Sequence, residues 1–461
     1  MTLHTDVNFP TEIQDVAKLF FDEVTLGDDG EISLTQNREG DVFTYTATMH
    51  GKTCTAKADV CGTDQLQSVR LQKRYAKIAL YNLLKDVTGK EMPWGSLTGI
   101  RPTKLACQLQ SEGLDWQQTF VNLLGVSPQK TQLVADILQC QGSLRNFTDT
   151  ADLYVGIPFC VTRCSYCSFT SGEIERMKKY VQPYVEGLRT DIRRTLQFAE
   201  EKGIALRNVY FGGGTPTSLS ANQLDEILQE ITFKPQEFTV EAGRPDTLDE
   251  EKLAVLKKHG VQRISVNPQT FNQSVLDEIG RKHTVQDIYD KYALAKSFNF
   301  IVNMDLIAGL PKESYQMFCH SVDCAIQLAP ENITVHTLAL KHGTLLKEEH
   351  YCSESDVAQM VDYAHSALRK AGYLPYYMYR QKYMSQNLEN VGFCKPGYPC
   401  VYNIGIMEEV TDILACGTNA ISKKISQSEN RIERAANAKD VITYIQRNED
   451  YLQKKFALFE R

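Results

Sequence analysis

The stretch Tyr154-Val-Gly-Ile-Pro-Phe-Cys-Val-Thr-Arg-Cys-Ser-Tyr-Cys-Ser-Phe169 places Cys160, Cys164 and Cys167 in a C-x3-C-x2-C spacing. Three thiolates on one short loop can hold three corners of a [4Fe–4S] cube and leave the fourth iron without a protein ligand. Clusters that only carry electrons usually have four cysteine ligands. The spacing therefore points to a cluster whose open iron binds something else and does chemistry there. Two plainer readings are a structural zinc site and three cysteines close by chance. Zinc takes four Cys or His ligands, commonly as two pairs, and no second pair or close histidine completes a tetrad in this loop.

Outward from the cysteines, the chain repeats a strand, a polar or glycine-rich turn and a helix. Candidate strands span 152–157, 208–211, 237–241, 263–267, 301–306 and 332–337, with helices at 177–202, 220–231, 249–259, 284–297 and 314–328 between them. Strands alternating with helices imply an α/β fold with a parallel sheet, whose ligand sites lie at the C-terminal strand ends. Six repeats are too few for a closed eight-stranded barrel, so an open, partial (β/α)6 barrel over residues 151–340 is expected.

Residues 1–150 read as a separate α+β domain of unknown role. A meander of two or three antiparallel strands within 31–60 precedes a helix over 64–86. Arg70, Lys73, Arg74 and Lys77 form a cationic stripe on that helix, a solvated face or, less plainly, an RNA or anion surface. In Thr98-Gly-Ile-Arg-Pro-Thr-Lys104, the Arg101/Lys104 pair could shape an anion pocket at a helix start or simply mark a domain-edge turn. A helix over 127–140 leads to the boundary. Residues 341–461 read as a small C-terminal α+β cap that binds substrate. It would hold a helix at 355–370, short strands at 376–379 and 402–407, and a final helix at 438–458.

A chain of 461 residues holds two or three domains, and its 42% apolar and 23% charged content is ordinary for a globular protein. The net charge of −7 provides no overall attraction for nucleic acid. No run of about 18 apolar residues suggests a membrane span. The start, Met1-Thr-Leu-His-Thr-Asp-Val7, lacks the pattern of a signal peptide. The thirteen cysteines are therefore expected to be reduced thiols in a cytoplasmic protein.

Turn motifs at the other strand ends complete the pattern. Tyr210-Phe-Gly-Gly-Gly-Thr-Pro-Thr217 follows the second strand, and its glycines let backbone approach a ligand closely. Glu241 ends the third strand in Val-Glu-Ala-Gly-Arg-Pro-Asp246. Gln269 follows the fourth, Arg281 lies in Ile-Gly-Arg-Lys-His-Thr284, and Asp305 lies in Asn303-Met-Asp-Leu-Ile-Ala-Gly-Leu-Pro311.

With Tyr166 before the third cysteine, the chain resembles the radical SAM (S-adenosylmethionine) superfamily. Its turn motifs resemble those of the oxygen-independent coproporphyrinogen III oxidase group, and the whole chain looks like the HemZ-type branch, the coproporphyrinogen dehydrogenases. That resemblance implies a [4Fe–4S] cluster on Cys160, Cys164 and Cys167. It implies SAM held by Tyr154, Glu241, Gln269, Arg281 and Asp305, with Tyr166, Gly213, Gly214, Thr215 and Ala339 as further contacts. It also implies oxidative decarboxylation of coproporphyrinogen III to protoporphyrinogen IX, with a reductant such as flavodoxin or ferredoxin.

One position departs from the oxidases, which carry a further cysteine two residues after the third; here it is Phe169. The C-S-Y-C-S-F form is closer to the haem-chaperone branch, which binds haem and keeps the cluster and SAM site. A radical SAM enzyme with another substrate is a third reading. For a tetracarboxylate substrate, Arg380, Lys382 and Lys395 are candidate cations. Tyr376, Tyr377, Tyr379, Tyr383, Phe393, Tyr398 and Tyr402 line either a macrocycle pocket or a small core. His283, His336 and His342 are candidate haem ligands, more simply structural histidines. Cys394, Cys400 and Cys416 are inert thiols or, less plainly, ligands of a second cluster.

Overall fold

The computed structural model describes residues 1–99, 101–145, 150–169, 171–340, 344–348, 351, 356–381, 384–426 and 431–460. Of the candidates above, Lys382, Tyr383 and His342 lie outside the described residues. The chain divides into two compact units, residues 1–136 with 380–388, and residues 137–379 with 389–461.

In the first unit a five-stranded sheet has the order Thr25–Leu26, Thr2–Thr5, Ile32–Glu39, Val42–Met49, Lys52–Asp59. The last three strands form the antiparallel meander, and Val42–Met49 alternates strictly between half-buried and buried positions. The helix Gln65–Thr88 starts where the Asp64 carboxylate accepts the Gln67 N–H at 2.7 Å. It ends at Gly89, whose φ of 69° lies in the left-handed region that glycine adopts without cost. Ala76, Ala79, Leu80, Leu83 and Leu84 of this helix pack with Leu34, Tyr45 and Ala47 of the sheet. The cationic stripe is tied to its own unit: Lys73 Nζ meets Glu12 Oε1 at 2.6 Å, and Lys77 Nζ donates to Thr98 Oγ1 at 2.9 Å.

The second unit is built on an eleven-stranded mixed sheet. Six strands run parallel in chain order: β1 (Thr150–Ile157), β2 (Ala205–Gly213), β3 (Glu237–Val240), β4 (Arg263–Ser265), β5 (Ile301–Ala308) and β6 (Asn332–Thr337). Their apolar residues, among them Leu153, Phe211, Val240, Ile264, Val302 and Val335, are buried. Between them lie the helices Lys178–Glu201, Ala221–Leu228, Glu250–Lys258, Val285–Ser297 and Tyr315–Leu328. Two start with reciprocal capping boxes, Ser220/Gln223 and Thr284/Asp287. The short helix Gln273–Glu278, between β4 and Arg281, was not evident in the sequence.

Residues expected to form a cap add strands to both edges of this same sheet. Beside β6 lies β8 (Asn390–Cys394), paired antiparallel with it, and then β7 (Leu374–Tyr379). Beside β1 lies β9 (Asp412–Gly417), paired parallel, followed by β10 (Ile421–Ser426) and β11 (Arg431–Ala436).

The expected strand at 402–407 is instead the helix Val401–Glu408. The Glu237 carboxylate accepts the N–H groups of Val401 and Tyr402 at 3.2 and 3.3 Å, satisfying donors that a helix start leaves unpaired. The expected single C-terminal helix is two, Val441–Gln446 and Asn448–Glu460. The second is anchored by Lys455, whose buried Nζ reaches Asp191 Oδ1 at 2.6 Å and Thr195 Oγ1 at 2.8 Å. No described helix is long and apolar enough to cross a membrane.

Candidate functional site

The site lies at the C-terminal ends of the parallel strands of the second unit. The cysteine loop leaves β1 and is laid against the glycine turn leaving β2. Gly214 N–H donates to Ile157 O at 2.7 Å, and Thr215 N–H to Phe159 O at 2.7 Å. A Cβ on Gly214 would stand 2.6 Å from Phe159 O and 3.1 Å from Cys160 Sγ, so only glycine lets the two loops approach this closely. Gly213 has φ +111°, which other residues rarely adopt. Cys160 Sγ and Thr215 Oγ1 are 3.4 Å apart.

Cys160, Cys164 and Cys167 are all free thiols. Burial pushes the Cys167 thiol up to about 11, and the neighbouring Cys164 and Cys160 add to the rise. Among the described residues, no three His, Cys, Asp or Glu side chains converge on a point that would hold a single ion. A cubane takes its thiolates at separate corners and does not require that convergence. Three soft donors on one loop, against a turn whose missing Cβ atoms make room, fit an iron–sulfur cluster with three protein ligands.

A chain of polar contacts links the cysteine loop to the later strands. Arg281 is buried; its Nη2 donates to the Tyr166 hydroxyl at 3.1 Å, and its Nη1 to Gly243 O at 3.1 Å and Asn267 O at 2.8 Å. Asn267 Nδ2 donates to Asp305 Oδ2 at 2.7 Å, and Asn303 Nδ2 to Asp305 Oδ1 at 2.8 Å. His336 Nε2 stands 3.7 Å from Asp305 Oδ1, and its Nδ1 lies 3.3 Å from the Tyr379 hydroxyl. Burial would raise the Asp305 carboxyl, but the His336 and Asn303 contacts hold it below the usual carboxylate range.

Glu241 has the opposite setting. Burial pushes its carboxyl up to about 7, against the Tyr210 hydroxyl that donates to Oε1 at 2.7 Å, and the nearby Asp305 adds to the rise. Gln269 adopts φ +65°, held there because its N–H donates to Asp305 O and its carbonyl accepts from Ile307. A non-glycine residue in that region costs of order 1–3 kcal/mol. Tyr154 stacks on Tyr210 at 6.3 Å, and Tyr210 on Tyr402 at 4.3 Å. Ala339, half-buried, follows β6. The strand ends thus bring Tyr154, Tyr166, Gly213, Gly214, Thr215, Glu241, Gln269, Arg281 and Asp305 to one end of the sheet with the three cysteines.

The remaining candidates have other partners. Arg380 belongs to the first unit, where it is buried, donates to Leu97 O and Asn387 O, and covers the Trp94 ring, so it is spent on structure. Lys395 follows Cys394, which pairs with Asn332 at the start of β6, and its Nζ donates to Ala329 O; it lies at the end of the sheet opposite the cysteines. Tyr376, Tyr377 and Tyr402 sit in a buried core cluster with Cys394 and Cys400. Cys400 donates to Glu237 Oε1 at 3.0 Å, while Cys416 contacts Thr195 and Lys455, so the three late cysteines do not gather at one place. His283 is buried beside Arg281 with neither ring nitrogen hydrogen-bonded, and burial, then Arg281, push it down to about 4.

Sequence reading passed over Arg244, Tyr210, Asn267 and Asn303. All four stand inside or beside the quoted turn motifs, but only the folded sheet supplies their partners.

A family model described as the Radical SAM superfamily matches residues 154–325. The chain is 36% identical to the oxygen-independent coproporphyrinogen-III oxidase-like protein HemZ of Bacillus subtilis, over 97% of this chain and 95% of that protein. It is 36% identical to the heme chaperone HemW of Bacillus subtilis over 42% of this chain, which spans about half (51%) of that relative. Among solved structures, the coproporphyrinogen III oxidase HemN of Escherichia coli superposes with a TM-score of 0.53 at 23% identity, covering 68% of this chain and 72% of that one. That likeness concerns the fold.

Proposed function

We propose that this chain, which belongs to the radical SAM superfamily and within it to the coproporphyrinogen oxidase-like group of HemZ, is an oxidoreductase that decarboxylates coproporphyrinogen III to protoporphyrinogen IX without oxygen. The observation that carries this reading is the three-thiol loop on β1, followed strand by strand by Glu241, Gln269 and Asp305, in a chain similar to HemZ along nearly its whole length. Cys160, Cys164 and Cys167 hold the cluster. Gly213, Gly214 and Thr215 pass close to SAM, Arg281 and Tyr166 orient its methionine end, and Tyr154, Glu241, Gln269, Asp305 and Ala339 hold the rest. When bound, cluster and SAM together supply a carbon-centred radical that can take a hydrogen atom from a propionate side chain.

The chain's own residues position and shield. The Arg281 guanidinium can fork onto a carboxylate, and the Asp305 carboxylate suits ribose hydroxyls. The Tyr154–Tyr210–Tyr402 stack forms an apolar wall against water. A low-potential donor such as flavodoxin or ferredoxin would deliver the electron that cleaves SAM, a one-electron acceptor would take the electron released as carbon dioxide leaves the propionate, and a reducing cytoplasm would suit such a cluster.

The test is anaerobic: cluster reconstitution, then SAM, strong reductant and coproporphyrinogen III, with the porphyrin followed by mass spectrometry. Stepwise loss of two carboxyl groups, absent in Cys164→Ala, is expected. SAM cleavage with the porphyrin unchanged would remove the substrate assignment. Phe169, 60% exposed where the oxidases have a further cysteine, favours a second reading as a haem-binding protein. Stoichiometric spectral change on haem titration would support it.

A further inference from the structure

Arg244 is buried in the turn after β3 and does two things at once. Its Nε and Nη2 fork onto Asp246 Oδ1 and Oδ2 at 3.0 and 2.8 Å. Its Nη1 crosses to the cysteine loop, donating to Thr162 O at 3.2 Å and Thr162 Oγ1 at 2.9 Å and standing 3.8 Å from Cys164 Sγ. One edge of the guanidinium therefore faces the sulfur and the other faces the carboxylate. The pair is an oriented dipole with its positive end on Cys164.

We propose that the Arg244–Asp246 pair is a positioning and tuning device for the cluster, setting how readily it accepts an electron. The inference rests on the cluster assignment to Cys160, Cys164 and Cys167. A cluster gains one negative charge on reduction. Hydrogen bonds to its sulfurs and nearby charge are what set its potential, and in a buried site a fixed cation a few ångströms away is weakly screened. Arg244 stabilises the reduced state, and Asp246, on the far side of the guanidinium, subtracts from that effect. Arg281 also lies in the field of Cys164, so Arg244 adds to a cationic surround.

The two partners therefore act with opposite sign, which a merely structural ion pair would not do. The experiment is an EPR-monitored titration of the reconstituted full chain with dithionite, with iron content measured alongside. Arg244→Gln is expected to disfavour reduction by about tenfold, about 59 mV lower for a one-electron couple. Asp246→Asn is expected to shift the potential upward, and Arg244→Lys, which keeps the charge, to return at least part of the loss. Shifts in the same direction, or none, overturn the proposal. If Arg244→Gln retains no cluster, Asp246→Asn decides alone: an upward shift supports the device, and anything else sinks it. A wild-type chain that takes up no iron overturns the cluster assignment, and the proposal with it.

Discussion

The Tyr210 hydroxyl donates to the Glu241 carboxylate at 2.7 Å, from the strand neighbouring the one that Glu241 follows. The bond favours the ionised carboxylate, yet burial outweighs it and lifts Glu241 to about 7 from an ordinary 4.5. Between these values the folded chain binds more protons than the unfolded one. This contribution to stability is fully present below about pH 4.5 and is lost as pH rises through about 7. In the ligand-free protein, thermal scans from pH 5 to 7.5 should show a downward trend with pH that Glu241→Gln flattens. An unchanged slope in the variant would contradict the assignment.

Iron content separates the cysteines. Alanine at Cys160, Cys164 or Cys167 should abolish the cluster's visible absorption, because a cube held at three corners loses a third of its protein ligands. Alanine at Cys416, which contacts Thr195 and Lys455, should leave about four irons per chain. Loss of iron in Cys416→Ala would revive a second cluster.

Gly214→Ala drives a methyl group to 2.6 Å from Phe159 O. The turn must then separate from the cysteine loop. The expected outcome is a lower Tm, a cost of about 1–3 kcal/mol, and reduced iron retention during gel filtration. A variant that retains wild-type Tm and iron would show that the close approach is not needed.

Arg281→Lys keeps a charge but cannot serve Tyr166, Gly243 and Asn267 together from one planar group. Calorimetric SAM affinity should fall by about tenfold or more, about 1.4 kcal/mol, with the cluster retained. Equal affinity would exclude Arg281 from the SAM site.

Lys455→Met leaves the Asp191 carboxylate buried with the Gly417 N–H and the Tyr444 and Thr195 hydroxyls as donors but no cation. Removing one partner of a buried pair costs about 3–5 kcal/mol, and replacing both costs less. Denaturant midpoints should fall more for Lys455→Met than for the double variant Asp191→Leu/Lys455→Met.

Much of the scaffold was legible because its physics is local. β1 to β6 lie within a few residues of their expected positions, since their buried apolar residues and the side-chain caps that start several of the following helices are local signals. Cys160, Cys164 and Cys167 were legible because chemistry requires their spacing on one loop. The helix Val401–Glu408 was misread, because the carboxylate that starts it, Glu237, is distant in sequence. Lys395 was misplaced for a similar reason, since a charge says nothing about which end of a sheet it will occupy.

By itself, the sequence determined the α/β rhythm, the three-thiol loop and the order of polar residues at the strand ends. Tertiary structure alone decided what those residues meet: Arg244 against Cys164, Asn267 between Arg281 and Asp305, and the late strands at both edges of one sheet. The division has a physical cause. Periodicity and loop spacing are properties of neighbouring residues, whereas hydrogen-bond partners and burial arise when segments far apart in the chain are pressed together.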